Sequence, residues 1–145
     1  LQGARAISVF NASDPFLDRA RTTAETLAVE VPGCQVKVIC LEDQKALRDE
    51  IASGDILVNA TSVGMKPRED ATLIGAVTMF RPGLVVADTV YNPLETKLMR
   101  QAREAGCQVI GGKGMLLWQG AIAFKLYTGL DMPVEEYQKE QEKSV

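Results

Sequence analysis

Three glycines, Gly111, Gly112 and Gly114, lead directly into an apolar stretch that carries a single amide, Gln119, on its way to Phe124. Glycine admits positive φ and lets another group come close to the backbone, because no Cβ stands in the way. Met115, Trp118, Ala121 and Ile122 recur at helical spacing on one face, and Leu116, Leu117, Ala123 and Phe124 cover much of the rest. The pattern predicts a helix buried on nearly every side. Gln119 would then be a polar group in an apolar surround, where an unpaired amide costs about 1–3 kcal/mol. Two kinds of partner would satisfy it: a backbone carbonyl or buried water, or a hydroxylated ligand lying under the glycine turn. The residues by themselves favour the first.

Other chemistry-bearing residues cluster where apolar runs end. Asn11, Ala12, Ser13 and Asp14 follow one such run, and an acid there either bonds a ribose hydroxyl or caps the helix that Pro15 opens. Asn59-Ala60-Thr61-Ser62-Val63-Gly64-Met65 follows another. Its small side chains admit a flat ring or a phosphate, and the same composition also makes an Asx or Ser turn. Asp88-Thr89-Val90-Tyr91-Asn92-Pro93 follows a third, with Tyr91 either walling a pocket or packing. An Asn-Pro-Pro-Tyr run marks some methyltransferases, but the order here is reversed. Lys66, Lys97 and Lys113 lie near these ends without an acid partner in sequence and read as solvated charges. Histidine is absent, which removes the commonest general base and transition-metal ligand. Cys34, Cys40 and Cys107 form no Cys-x-x-Cys pair, so neither a disulfide framework nor a metal site is indicated, and all three read as buried small hydrophobes.

The elements that position these groups alternate. Strand-like runs at 6–10, 35–41, 56–60, 84–88 and 107–110 are separated by helical segments over 42–52 and 95–105 and by one starting at Pro15. The helix behind Pro15 has Leu17, Ala20, Ala24, Leu27 and Ala28 on its inner face, and a short helical stretch is expected over 73–80. Such alternation is the pattern of an α/β fold with a parallel sheet, whose ligands bind at the carboxyl ends of the strands. The run at 56–60 lacks polar alternation, as a central strand covered on both faces does. Residues 133–145 read as a solvated terminal helix anchored by Val134 and Tyr137.

The chain has 145 residues, 46% of them hydrophobic, enough for one ordinary domain with a core. A net charge of −3, with 16 basic residues scattered among 19 acids, argues against a nucleic-acid surface. No apolar run approaches the ~18 residues of a spanning helix, and the start shows no charged leader, so a cytoplasmic protein is expected. The opening Leu1 in place of Met implies processing or a piece of something longer.

Three of these motifs together, 59–65, 90–93 and Gly112-Lys113-Gly114-Met115-Leu116-Leu117-Trp118-Gln119-Gly120-Ala121, resemble in order and spacing the C-terminal half of the shikimate dehydrogenase family. The likeness is strongest to its quinate/shikimate branch and covers nearly the whole chain. It implies a Rossmann-like doubly wound parallel sheet that binds a nicotinamide dinucleotide. Residues 1–128 would form that domain, truncated at its start, and 129–145 a helical tail. It also implies reversible hydride transfer between the cofactor and a cyclic polyol acid, shikimate or quinate, within aromatic amino acid biosynthesis or quinate use. By resemblance, Asn11, Ala12, Ser13 and Asp14 lie at the adenosine ribose and Ser62 near the cofactor. Thr89, Val90, Tyr91, Asn92 and Gly112 follow the nicotinamide half, Met115 packs beside it, and Gln119 holds a substrate hydroxyl.

Departures from the family carry equal weight. Relatives often place Arg where Ala12 and Ser13 stand, the fork that a 2′-phosphate needs, and Asp14 would repel that phosphate. NAD is therefore expected over NADP unless Arg19 or Arg21 folds back. Many relatives carry Asp at the position of Gly111. The family's catalytic Lys and Asp belong to an N-terminal substrate domain, and its glycine-rich cofactor turn follows the first strand of the nucleotide domain; this chain contains neither. In the strand order 3-2-1-4-5-6 that first strand lies between those matching 6–10 and 56–60, so its absence should split the sheet and leave two open edges. Alone, the chain is expected to be inactive and either poorly folded or a homodimer through those edges. The competing readings are a nucleotide-binding or regulatory module without chemistry, and another doubly wound enzyme such as a methyltransferase.

Overall fold

A computed structural model describes residues 3–143, and the side chains of 3–140. The outermost residues of the two expected segments, 1–2 and 144–145, lie outside the described residues. The chain forms two compact units, Leu1–Gly54 and Asp55–Val145.

The first unit runs β1 (Ala6–Asn11), α1 (Phe16–Glu30), β2 (Gln35–Cys40) and α2 (Gln44–Ser53). The two strands pair in parallel from Ala6 opposite Gln35 to Asn11 opposite Cys40, so their carboxyl ends emerge side by side. Asp14 turns the chain into α1: its Oδ1 accepts the Phe16 N–H at 2.9 Å, and its carbonyl accepts that of Leu17 at 3.0 Å. Leu17, Ala20, Ala24 and Leu27 are half-buried as their spacing predicts, whereas Ala28 is exposed. α2 is covered better, with Leu47 and Ile51 buried. Glu50, on the same helix, accepts from the Lys37 ammonium at 2.8 Å and from the Ser8 hydroxyl. These bonds, that of Lys37 foremost, hold its carboxyl below the ordinary glutamate range.

The second unit contains β3 (Ile56–Asn59), a 3-10 turn at Val77–Met79, β4 (Val85–Asp88), α3 (Lys97–Glu104), β5 (Gln108–Ile110), α4 (Gly112–Thr128) and α5 (Val134–Lys143). Its sheet is parallel in the order β3-β4-β5, and β4, flanked on both edges, carries the fully buried Val86. Leu98, Met99 and Ala102 of α3 are buried, and Gly106, at φ 77, ends that segment. The helical stretch expected over 73–80 reduces to the single 3-10 turn, which buries Met79.

Three expectations are corrected here. β3 is an edge strand with β4 as its only strand neighbour among the described residues, and one of its faces is bare, with Ile56 64% and Val58 53% exposed. The apolar helix α4 buries only Gly112, and Trp118, Leu126 and Tyr127 are open to solvent, Tyr127 at 89%. Its composition calls for a cover that the described residues do not supply. Cys34 and Cys107 are buried, but Cys40 is only half-buried and bonds Glu42. Among the described residues the strands form two parallel sheets, two strands in one unit and three in the other, the division expected from the family's strand order.

Candidate functional site

At the carboxyl end of β4, Asp88 is 2% exposed and accepts three hydrogen bonds. Its Oδ1 takes the Asn59 side-chain amide and the Val90 N–H, each at 3.0 Å, and its Oδ2 takes the Thr96 hydroxyl at 2.6 Å. Asn59 closes the loop after β3 from the other side. Its amide also reaches the Val63 carbonyl at 3.1 Å, and its Oδ1 accepts the Thr61 hydroxyl at 2.7 Å. This is the Asx turn that the composition offered as one alternative. Thr96 completes the cluster by accepting the Met99 N–H at 3.3 Å, which caps α3. Every polar atom of this buried group has work to do, as burial requires.

The glycine turn is built against this cluster. Gly112 opens α4 and donates its N–H to the Val90 carbonyl at 3.3 Å. A Cβ there would stand 2.3 Å from the Thr89 carbonyl oxygen and 2.7 Å from that of Val90. The close approach that glycine permits is thus made by the protein's own backbone. None of the three turn glycines adopts positive φ; Gly111 is extended at φ −94 and the other two are helical, so what Gly112 supplies is the missing Cβ and not a left-handed backbone. Gly114 has nothing within 4 Å of a built Cβ.

An open cleft of about 390 Å³ lies over the turn, walled by Thr89, Ile110, Gly112, Gly114, Met115 and Trp118, with Asp88 beneath. Its lining is mostly apolar with one hydroxyl, that of Thr89, which donates to the Asn59 carbonyl at 3.0 Å and keeps acceptor capacity. The N–H groups that follow Gly112 in the first turn of α4 belong to the same end. A flat, partly polar ring suits such a wall.

The structure gathers Thr89, Gly112 and Met115 at this cleft. Val90 is buried and contributes its carbonyl; Ser62, Tyr91 and Asn92 are exposed in the flanking turns and do not line it. Gln119 is exposed, contrary to the burial read from its neighbours, and its Nε2 donates to the Leu116 carbonyl at 3.0 Å. The correction follows from α4 being uncovered: with solvent beside it, the amide needs no ligand.

In the first unit, Asn11 donates its side-chain amide to the Ala12 carbonyl at 2.9 Å and to Asp14 Oδ1 at 3.1 Å. The Ser13 N–H reaches Glu42 Oε1 at 3.3 Å, and the Cys40 thiol donates to Glu42 Oε2 at 2.7 Å. The thiol bond holds the Glu42 carboxyl below its ordinary range, and the same contact pushes the Cys40 thiol up. Two carboxylates, Asp14 and Glu42, therefore belong to this strand end. Arg21 is paired with Asp18 at 3.1 Å, and Arg19 lines a separate cleft with Val9, Thr23 and Leu27.

Sequence reasoning missed Asp88, Asn59 and Thr96 as a unit, and Glu42 as a neighbour of Ser13. The parallel register was the available signal for Glu42, since Asn11 opposite Cys40 sets the residues after each strand side by side.

Parallel strands, crossover helices and polar groups collected at strand carboxyl ends define a Rossmann-like α/β protein, present here in partial form. The description "Shikimate 5'-dehydrogenase C-terminal domain" matches residues 112–136. A quinate/shikimate dehydrogenase of Escherichia coli O139:H28 is 47% identical over 135 residues, covering 93% of this chain and 46% of the relative. Shikimate 5-dehydrogenase from Listeria monocytogenes, solved with shikimate and NAD, superposes with a TM-score of 0.89 at 43% identity over 96% of this chain and 48% of that one. Quinate dehydrogenase from Corynebacterium glutamicum, solved with NAD, gives a TM-score of 0.81 at 30% identity over 99% of this chain and 48% of that one. The chain belongs to the shikimate dehydrogenase family, and it spans about half the length of the relatives it matches.

Proposed function

We propose that this chain is the cofactor-binding part of an NAD-dependent shikimate/quinate dehydrogenase, which reversibly interconverts shikimate or quinate with its 3-dehydro ketone. The observation that carries the reading is the cleft over Gly112, where a mostly apolar wall, one hydroxyl and the start of α4 meet at a strand carboxyl end. When bound, the nicotinamide would accept the hydride from the polyol carbon in oxidation and return it to the ketone in reduction. Thr89, Met115 and the Gly112–Gly114 backbone would hold its ring, with Val90, Tyr91, Asn92 and Ser62 along the approach. Gln119, exposed on α4, would turn its amide to a substrate hydroxyl. Asn11, Ala12, Ser13 and Asp14 would take the adenosine ribose.

Asp14 and Glu42 give the ribose end a negative character, which suits two free hydroxyls and opposes a 2′-phosphate. NAD is accordingly favoured over NADP. Proton transfer falls to the Lys and Asp that the family carries in its substrate domain, so the chain binds and orients while the partner half performs the acid–base step. That half makes the cyclic polyol acid site complete.

The test joins this chain behind the N-terminal half of the E. coli relative. NAD-dependent oxidation of shikimate or quinate is expected, with NADP a weaker cofactor. Saturable NAD binding with no turnover would instead identify a nucleotide-binding module without chemistry, and tighter NADP than NAD binding would overturn the cofactor assignment.

A further inference from the structure

We propose that Asp88, acting with Thr96, is the positioning residue that sets the nicotinamide-side cleft, an inference that rests on the cofactor reading above. Each donor to the Asp88 carboxylate comes from a different piece of the second unit: Asn59 from the end of β3, Val90 from the turn after β4, and Thr96 from the start of α3. Only an acceptor with two oxygens can collect all three. The consequence reaches the cleft in one step. Asp88 fixes the Val90 peptide by its N–H, and the carbonyl of Val90 receives the N–H of Gly112, where α4 begins. Gly114, Met115 and Trp118 stand on that first stretch of α4 and form one wall. A small shift of the Val90 peptide therefore moves the wall as a body.

Thr96 serves both sides of this arrangement. At 1% exposure its hydroxyl donates to Asp88 and accepts from Met99, and its Cγ2 lies 3.2 Å from where a Cβ on Gly64 would stand. The 61–65 turn, which carries Ser62, is thereby seated on the same threonine. Asp88 and Thr96 do not contact the ring themselves in this role; they hold the backbone that does.

Trp118 is the only tryptophan of the chain, so its emission reports the wall directly. The experiment compares the full chain with Thr96→Val, Thr96→Ser and Asp88→Asn. It follows amide exchange at Val90 and Gly112, Trp118 emission and NAD titration, with exchange at Leu47 of the first unit as control. Thr96→Val and Asp88→Asn should speed exchange at both amides by about tenfold and weaken NAD binding by a similar factor. Thr96→Ser, which keeps the hydroxyl, should remain near wild type, and Leu47 should not change. Unchanged Gly112 exchange and NAD affinity in both Thr96→Val and Asp88→Asn would overturn the proposal. Should Thr96→Val fail to fold, Asp88→Asn decides, since it keeps the shape while it removes the charge and puts a donor where Thr96 needs an acceptor. Should the wild-type chain by itself bind no NAD, Gly112 exchange decides the positioning role, and the chain joined behind the N-terminal half of the E. coli relative decides the cofactor reading.

Discussion

Gly112 and Gly114 stand two positions apart in one turn of helix and answer to different constraints. At Gly112 a methyl group meets backbone oxygens that cannot move without dislodging β4, so Gly112→Ala should destabilise the second unit by about 1–3 kcal/mol and close the cleft. At Gly114 a methyl group meets nothing within 4 Å, and alanine is the better helix former, so Gly114→Ala should raise the thermal midpoint while weakening NAD binding. A Gly114→Ala protein that binds NAD as tightly as wild type would show that the ring does not use this wall. The glycine cluster was legible in the sequence as a place of close approach, but not which group approaches, because that depends on the turn at 89–90, some twenty residues away. Gln119 shows the same limit from the other direction: the apolar pattern around it is real, and its burial depended on a neighbour that the pattern does not name. Glu50 supplies a pH test. Its carboxyl is held below the ordinary range by Lys37 and then Ser8, so the native state favours the ionised form more than the unfolded chain does. The contribution is complete above the ordinary glutamate range and is lost as pH falls through the depressed value. Urea midpoints of the first unit should therefore fall on acidification below about pH 4, and less steeply in Lys37→Met; the half-exposed lysine keeps the difference small. Equal slopes in the two proteins would remove Lys37 as the cause.

At the scale of elements, β3 and α4 carry the unmet requirements. Four strand residues with a single strand neighbour among the described residues and two exposed β-branched side chains, Ile56 and Val58, present a template for another strand. Val58→Lys places a charge on the open face without touching Asn59 or the β4 pairing, and it should reduce self-association of the isolated chain in light scattering. Association that persists unchanged would move the contact to α4, whose Leu126, Tyr127 and Leu130 are also bare. The type and order of the elements could be read from β-branched runs alternating with helical spacing, and the strand positions agree to within a residue or so. The covering of β3 could not be read, because a continuous apolar run looks the same whether its neighbouring strand is present or not. The 73–80 stretch was overread for a related reason: its apolar residues pack as a loop around one 3-10 turn, and a short run carries too few repeats to fix a period.

At the scale of the whole chain, the described strands form two sheets, one in each unit. Each half keeps its parallel pairing, but the buried apolar residues are unevenly shared: Cys34, Leu47 and Ile51 in the first unit against a larger set centred on Leu84, Val86 and Phe80 in the second. A two-stranded sheet with so small a core is marginal on its own, since cooperative stability needs more apolar surface removed from water than three side chains provide. The isolated chain should therefore melt in two transitions, the first unit below the second, with exchange at Leu47 lost before exchange at Val86. A single transition with equal calorimetric and van't Hoff enthalpies would refute this. Joined to the N-terminal half of the E. coli relative, the chain gains the strand that in the usual order separates β1 from β3. The two transitions should then merge into one at higher temperature, and solvent protection of Tyr127 and Ile56 should rise together. If the transitions stay separate while activity appears, the strand order inferred from the family is wrong for this chain, and catalysis needs only the cleft of the second unit.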